Sequence, residues 1–221
     1  TDQIQALTTN QVKAMETRDV AALKTAQVAA LTTDQVKSAL TTDQVAGMTT
    51  AQVGALTTDQ ISKALTTNQV VALTTAQVAS LNTDQIQALT TNQVKNMETR
   101  DIAALTTRQV GALTTDQVSK ALTTDQVVAL TTGQVSSLNT DQIQALTTNQ
   151  VKAMETQDIA ALTTRQIDAL TTDQVSKALT TDQVVALTTG QVSSLNTDQI
   201  QALTTNQVKA METRDVAALK T

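Results

Sequence analysis

The feature that most restricts the fold of this chain is a short repeat that runs through its whole length. The repeat reads T-x-Q-V-x-A-L-T, and 221 residues contain 27 copies of it. Position one is Thr, position three is Gln or Asp, position four is Val or Ile, and the next-to-last position is Leu or Met. Because such self-similarity is the signature of solenoids, we expect each repeat to be one element of a stacked array.

Repeats of nine residues and a longer period modify this pattern. Four repeats gain one residue after the Val or Ile, and they begin at Thr33, Thr58, Thr115 and Thr172. A period of 57 residues, or seven repeats, is clearest in residues 83–139 and 140–196, which differ at four positions. Three additional repeats, roughly residues 42–66, enlarge the first such block. Tolerance of whole-repeat insertions is typical of solenoids, so we assign residues 1–221 to a single repeat array.

The spacing of apolar residues favours helix over strand. Val or Ile precedes Leu or Met by three residues in the eight-residue repeats and by four in the nine-residue repeats. Both spacings place the pair on one face of a helix. In a strand, the three-residue spacing would place the pair on opposite faces and the four-residue spacing on the same face, so the nine-residue repeats would reverse the pattern. Ala, Leu, Gln, Lys and Met at most other positions also favour helix, although Thr and Val favour strands. The predicted fold class is therefore all-α, a solenoid of very short helices, one per repeat.

Each repeat is predicted to form its own helix of about two turns. The step from Leu to the next Val is five residues, a rotation of about 500° at about 100° per residue, so one continuous helix would not keep its apolar face. The Leu-Thr-Thr junction is the predicted break. We place the N-cap at the Thr of position one, because the preceding position, which would complete a capping box, is also Glu16, Lys24 or Glu98.

Stacking must stabilise these helices, because one repeat cannot fold alone. Burial of one Val and one Leu yields about 3–6 kcal/mol, whereas ordering eight residues costs on the order of 8–16 kcal/mol. Insertions of three and of seven repeats both preserve stacking if each turn of the solenoid holds about 3.5 repeats. We then expect contacts between repeats three and four positions apart. Val127 should lie near the repeats that begin at Thr148 and Thr156.

Composition limits the chemistry available to the chain. It contains no His, Cys or aromatic residue, so catalysis would have to use Asp, Glu, Lys, Arg, Ser or Thr at repeated positions that have a structural explanation. We expect no enzyme activity and no catalytic, cofactor or metal site. Clusters of Glu-Thr-Arg-Asp are expected to form exposed ion pairs with neighbouring coils. These clusters contain Glu16, Arg18 and Asp19; Glu98, Arg100 and Asp101; and Glu212, Arg214 and Asp215.

Two further patterns that could indicate metal have structural explanations. The Asp-Gln pairs resemble neither a glycine-rich calcium loop nor an EF-hand, and they are expected to act at helix starts. The methionines occupy the Leu position and are expected in the core rather than as soft-metal ligands. They are Met15, Met48, Met97, Met154 and Met211.

Charge and hydropathy argue against nucleic-acid and membrane partners. The formal charge of −5 comes from 15 basic and 20 acidic residues without a run of either sign, and no apolar stretch approaches the about 20 residues that span a bilayer. The segment LTTDQVVAL resembles the opening helix of TAL-effector DNA-binding repeats, but their base-reading loop and second helix have no counterpart. We therefore expect no nucleic-acid binding and no membrane insertion. Because the chain begins with neither an initiator Met nor a signal peptide, we expect a fragment or a processed piece.

The repeat also resembles a known class. Segments of the form TTxQVxAL, such as residues 122–130 and 179–187, resemble octad repeats of very large repetitive bacterial surface or secreted proteins described as adhesin- or haemagglutinin-like. The resemblance covers the entire chain. It implies an extracellular or cell-surface stalk or array.

Function is therefore predicted to be structural, as a spacer, a stalk or a surface extension. One alternative is a binding solenoid with a protein or glycan partner or with self-association, although the chain has no aromatic residue to act as an anchor. Another is an ice-binding lattice of paired threonines, which requires all junctions to face one side. Thermal hysteresis of the purified protein tests that idea.

Overall fold

The solenoid predicted from the repeat is present in the computed structural model, which describes residues 2–219. These residues form 27 short helices, one per repeat, and contain no strand. Four of the helices are π-helices and the others are α-helices, each of four to six residues. The fold class is thus all-α, as predicted.

The helices fall into two compact halves, an N-terminal half that ends at Ala112 and a C-terminal half that begins at Leu113. The helices of the N-terminal half are Asp2–Ala6, Thr9–Lys13, Thr17–Ala21, Thr25–Ala30, Gln35–Ala39 (π), Thr42–Ala46, Thr50–Gly54, Gln60–Ala64 (π), Thr67–Val71, Thr75–Ser80, Thr83–Ala88, Thr91–Asn96, Thr99–Ala104 and Thr107–Ala112. Those of the C-terminal half are Gln117–Ala121 (π), Thr124–Val128, Thr132–Val135, Thr140–Ala145, Thr148–Ala153, Thr156–Ala161, Thr164–Asp168, Gln174–Ala178 (π), Thr181–Ala186, Thr189–Val192, Thr197–Ala202, Thr205–Ala210 and Thr213–Ala217.

Most helices begin with a capping box, one residue earlier than predicted. Thr41 Oγ1 accepts a hydrogen bond from the Gln44 backbone N–H at 3.2 Å, and Gln44 Oε1 accepts one from the Thr41 N–H at 2.8 Å. The N-cap is the last residue of the preceding repeat, so placing it at position one is wrong. Lys24 is tolerated there because Gln27 Oε1 still accepts a hydrogen bond from its backbone N–H at 2.8 Å.

The nine-residue repeats absorb their added residue as a π-helix. The Leu122 N–H donates to the Gln117 carbonyl, five residues earlier, at 3.0 Å, whereas in the next repeat the Leu130 N–H donates to Val127, three residues earlier, at 3.2 Å. The wider turn keeps both Val118 and Leu122 buried. The insertion therefore leaves the apolar register unchanged, as the helical interpretation predicts.

Stacking follows two fixed intervals along the chain. Within each half, helices pack against helices three repeats away; Thr148–Ala153, for example, contacts both Thr124–Val128 and Gln174–Ala178. Side-chain hydrogen bonds instead join repeats that are four apart, as from Gln150 to the carbonyl of Val118 at 2.7 Å. One turn therefore holds between three and four helices, which confirms the predicted value of about 3.5.

Aliphatic side chains fill the narrow interior. Position-four residues are buried from Ile4 to Val192, and those of the Leu position from Leu31 to Leu187. The prediction that every such residue is buried is wrong in the outermost coils, where Val208 and Val216 are each 48% exposed. These coils lack a second neighbour within the described residues. Each coil therefore needs a neighbouring coil on both sides to bury its aliphatic side chains fully.

We expect Leu130→Asp to destabilise the chain by about 3–5 kcal/mol, because it puts an unpaired charge into a dry interior. Leu130 is 4% exposed, whereas Val128 in the same repeat is 42% exposed, so Val128→Asp is the matched control with an expected change below about 0.5 kcal/mol. Urea denaturation followed by far-ultraviolet circular dichroism measures both. Equal effects of the two substitutions would contradict the assignment of Leu130 to the core.

Candidate functional site

The most regular polar feature of the structure is a series of buried glutamines at position three. Their exposed fractions are 1–3%. A buried amide requires hydrogen-bond partners, so these side chains are part of the architecture rather than of the surface. The sequence analysis identified position three as constant but assigned it no role. The glutamines are Gln35, Gln44, Gln52, Gln60, Gln69, Gln77, Gln85, Gln93, Gln109, Gln117, Gln126, Gln134, Gln142, Gln150, Gln166, Gln174, Gln183, Gln191, Gln199 and Gln207.

Each glutamine whose bonds lie within one half joins two coils. Gln183 Oε1 accepts a hydrogen bond from the Thr180 backbone N–H at 2.9 Å, and this bond completes the capping box at the start of the helix that contains Gln183. Gln183 Nε2 donates to the carbonyls of Val151 at 2.9 Å and Met154 at 2.8 Å, at the end of the helix four repeats earlier. We call this series of position-three glutamines and their carbonyl partners the glutamine ladder. It satisfies backbone groups at both ends of helices that are too short to satisfy their own.

Replacing one ladder residue should cost more than replacing an exposed glutamine. Gln183→Leu removes the acceptor of the Thr180 N–H and the amide donor to the carbonyls of Val151 and Met154, of which the Val151 carbonyl keeps the Met154 N–H. We expect a loss of about 2–5 kcal/mol in unfolding free energy. Gln144→Leu changes a side chain that is exposed, and serves as the control. Urea denaturation of both variants measures the difference. A loss below about 0.5 kcal/mol for Gln183→Leu would contradict the proposed importance of the ladder.

Aspartate replaces glutamine at position three in four repeats. An ionised carboxylate has no hydrogen to donate, so it cannot form the two hydrogen bonds that a ladder glutamine donates to carbonyls four repeats earlier. Asp101, Asp158 and Asp215 are each 1% exposed. Within the described part of the chain, Asp101 Oδ1, Asp158 Oδ1 and Asp215 Oδ2 have no hydrogen-bond partner. The fourth, Asp19, lies in the first coil with its side chain 54% exposed.

The Glu-Thr-Arg-Asp clusters form ion pairs inside one repeat. Arg100 Nε lies 2.6 Å from Glu98 Oε2 and 3.8 Å from Asp101 Oδ1. The clusters at Arg18 and Arg214 have the same arrangement. The Arg–Glu pairs are exposed, as predicted, but they form within one repeat, so the prediction that they join neighbouring coils is wrong.

The repeat that begins at Thr156 differs from the other three. Gln157 takes the place of the Arg, and its Nε2 donates a hydrogen bond to Glu155 Oε2. In residues 2–219 neither Glu155 nor Asp158 forms an ion pair with a basic side chain. Burial raises the pKa of the Asp158 carboxyl above its ordinary 3.8, the Glu155 charge raises this pKa further, and the Glu155 backbone hydrogen bond lowers it.

Asp101 has the same burial but a different electrostatic neighbour. Burial raises the pKa of its carboxyl above 3.8, while the Arg100 charge lowers this pKa and the Glu98 charge raises it. The two aspartates thus form a matched pair in which the guanidinium is the main chemical difference.

A raised pKa means that the folded chain prefers protonated Asp158. This preference contributes stability below about pH 4, near the unfolded pKa, and the contribution is lost as the pH rises through the raised folded pKa. We expect Asp158→Gln, which restores the ladder amide, to stabilise the chain more at pH 7 than at pH 3. Urea denaturation of both proteins in buffer without divalent cations measures this difference. A difference that does not change with pH would contradict the assigned burial of the carboxylate.

Other candidate positions do not assemble a reactive centre. Met48, Met97 and Met154 are buried at the Leu position, as predicted, while Met15 and Met211 are half-buried. In the described residues, no three His, Cys, Asp or Glu side chains come together as a group that could hold a metal ion. None of the helices in residues 2–219 has the length and apolar character needed to cross a membrane.

One short helix per repeat, three to four helices per turn and the glutamine ladder define a helical repeat solenoid. The model of the ALTTAQ repeat family matches residues 12–50, 38–63, 63–91, 94–132, 120–156, 151–189 and 178–213. Because these matches cover more than half of the chain, the protein belongs to the ALTTAQ repeat family. None of the curated proteins matches the chain.

Proposed function

We propose that this array is a non-catalytic structural spacer that extends a secreted or cell-surface protein. The observation that supports the proposal is the glutamine ladder, in which the glutamines whose bonds lie within one half use the same kind of bonds whatever residues occupy the variable positions of their repeats. Gln44, Gln52 and Gln60 donate to the carbonyls of Val12, Val20 and Val28, each four repeats earlier. The additional repeats in residues 42–66 therefore follow the same rule as the rest. Such an array can change length by whole repeats without a change in its bonding.

The distribution of polar groups is consistent with a role that does not involve catalysis. Several carboxylates lie in exposed ion pairs, such as Asp116 with Lys120 at 2.9 Å, and three are buried at position three. A surface depression lined by Ser136, Asn139, Thr140 and Arg165, among others, brings together no acid and base. Catalysis by general acids and bases needs such groups within reach of one substrate.

The proposed location rests on the resemblance of the TTxQVxAL repeats to those of repetitive bacterial surface and secreted proteins. Protease treatment of intact source cells tests it, because an array on the surface is cleaved while cytoplasmic markers are protected. Protection of the array in intact cells would contradict this part of the proposal.

An ice-binding surface is disfavoured by the geometry of the coil. With three to four helices per turn, the Leu-Thr-Thr junctions are spread over several sides of each coil. In addition, the first Thr of the pair uses its hydroxyl in the capping box, as Thr180 Oγ1 does in accepting the Gln183 N–H at 3.1 Å.

A spacer should lengthen when repeats are added. Because the chain has no Cys, Lys120→Cys and Lys209→Cys provide two unique sites for spin labels. Insertion of a second copy of residues 140–196 after residue 196 adds seven repeats, or about two turns, and we expect the label distance to grow by about 16–20 Å at 8–10 Å per packed helix layer. Pulsed electron paramagnetic resonance measures this distance.

The control is the same insertion with its position-three glutamines changed to Ala, which should broaden the distance distribution because the ladder is broken. An unchanged distance for the intact insertion, or an equally broad distribution for both insertions, would contradict the spacer proposal.

A further inference from the structure

The position occupied by Asp158 faces two main-chain carbonyls in the coil below. In the preceding repeat, Gln150 Nε2 lies 2.7 Å from the Val118 carbonyl oxygen and 2.6 Å from that of Leu122. The same four-repeat relation places the carbonyls of Val127 and Leu130 opposite Asp158. Aspartate is one methylene shorter than glutamine and ends in an oxygen at this point. The amino group through which Gln150 reaches its two carbonyls therefore has no counterpart at Asp158.

The carboxylate and these two carbonyls are all hydrogen-bond acceptors. Asp158 is 1% exposed and its Oδ1 has no hydrogen-bond partner. The two carbonyls that the register of the ladder assigns to this position cannot donate a hydrogen bond to it either. Glu155 lies at the exposed edge of the same helix start, close enough for its charge to act on Asp158. The candidate site thus combines a buried carboxylate with a solvent-facing carboxylate at its exposed edge.

The repeat of Asp158 lacks a positive charge that is present in the repeats of Asp101 and Asp215. Arg100 and Arg214 place a guanidinium Nε 3.8 Å and 3.9 Å from the carboxylates of Asp101 and Asp215. Asp215 Oδ1 also accepts a hydrogen bond from the Thr189 hydroxyl at 3.0 Å. At Asp158 the Arg is replaced by the neutral Gln157, so two neighbouring carboxylates have no basic partner in the described chain.

We propose that Asp158 and Glu155 bind Ca²⁺, a hard divalent cation, together with the main-chain carbonyls of Val127 and Leu130. Carboxylate and carbonyl oxygens are the ligands that Ca²⁺ takes, with water completing its six to eight positions. Two carboxylates balance its charge. The sequence analysis predicts no metal site, because two of these ligands are backbone carbonyls. The two carboxylates lie in a different coil from the carbonyls, so the four ligands form no local sequence motif.

Calcium binding to the full chain at pH 7.5, measured by isothermal titration calorimetry, tests this site. We expect one Ca²⁺ per chain with a Kd of about 10⁻⁴–10⁻³ M, the range of weak calcium modules. Asp158→Gln restores the ladder amide and should abolish binding while far-ultraviolet circular dichroism stays unchanged. Gln157→Arg supplies the missing charge and should weaken binding at least about tenfold, equal to about 1.4 kcal/mol.

The reciprocal variant uses the matched repeat. Arg100→Gln removes the guanidinium beside Asp101 and should raise the stoichiometry from one to two Ca²⁺ per chain. CaCl₂ should also raise the unfolding temperature of the unmodified chain but not that of Asp158→Gln.

Two results would overturn the proposal. Undiminished Ca²⁺ binding by Asp158→Gln would show an adventitious surface ion only. Absence of binding by the unmodified chain at millimolar Ca²⁺ would show that a proton on Asp158, with a water molecule donating to the two carbonyls, takes the place of the cation.

Discussion

The buried glutamine amide is the interaction on which the rest of this solenoid depends. Helices of four to six residues leave many of their backbone donors and acceptors without partners in the same helix. In the repeats of the glutamine ladder, one side chain supplies partners at both helix ends, since Oε1 accepts the N-cap N–H and Nε2 donates to two carbonyls four repeats earlier. Apolar contacts between repeats three apart hold the coils together, and the directional bonds between repeats four apart fix their register.

The outline of the fold follows from the sequence because two spacings are informative. The Val-to-Leu interval identifies helix in both repeat lengths, and the insertions of three and seven repeats indicate three to four helices per turn. The position of the cap is not predictable from residue preference alone, since Lys24 is a poor N-cap. The structure shows that the Gln of position three satisfies the N-cap backbone N–H there, so the identity of the capping residue matters less than expected.

The hydrogen bonds of the glutamine ladder are harder to predict because they join residues of different coils. A constant Gln in a repeat is compatible with an exposed or a buried side chain, and only the stacking shows that its amide meets carbonyls about 30 residues away, as Gln35 does with Ile4. The same limit applies to Asp158. The groups proposed to bind the cation together with Asp158 are the main-chain oxygens of Val127 and Leu130, and main-chain groups do not appear in a sequence motif. Repeats that break the ladder are therefore the places where an otherwise uniform array can acquire a chemical property.

A crystal structure that resolves the side-chain amide of Gln150 is the most direct measurement of the glutamine ladder. The ladder predicts that its Nε2 lies within about 3.2 Å of the carbonyl oxygens of both Val118 and Leu122, four repeats earlier. A Gln150 side chain that points to solvent, or that bonds to an adjacent repeat, would contradict the ladder as the origin of the register.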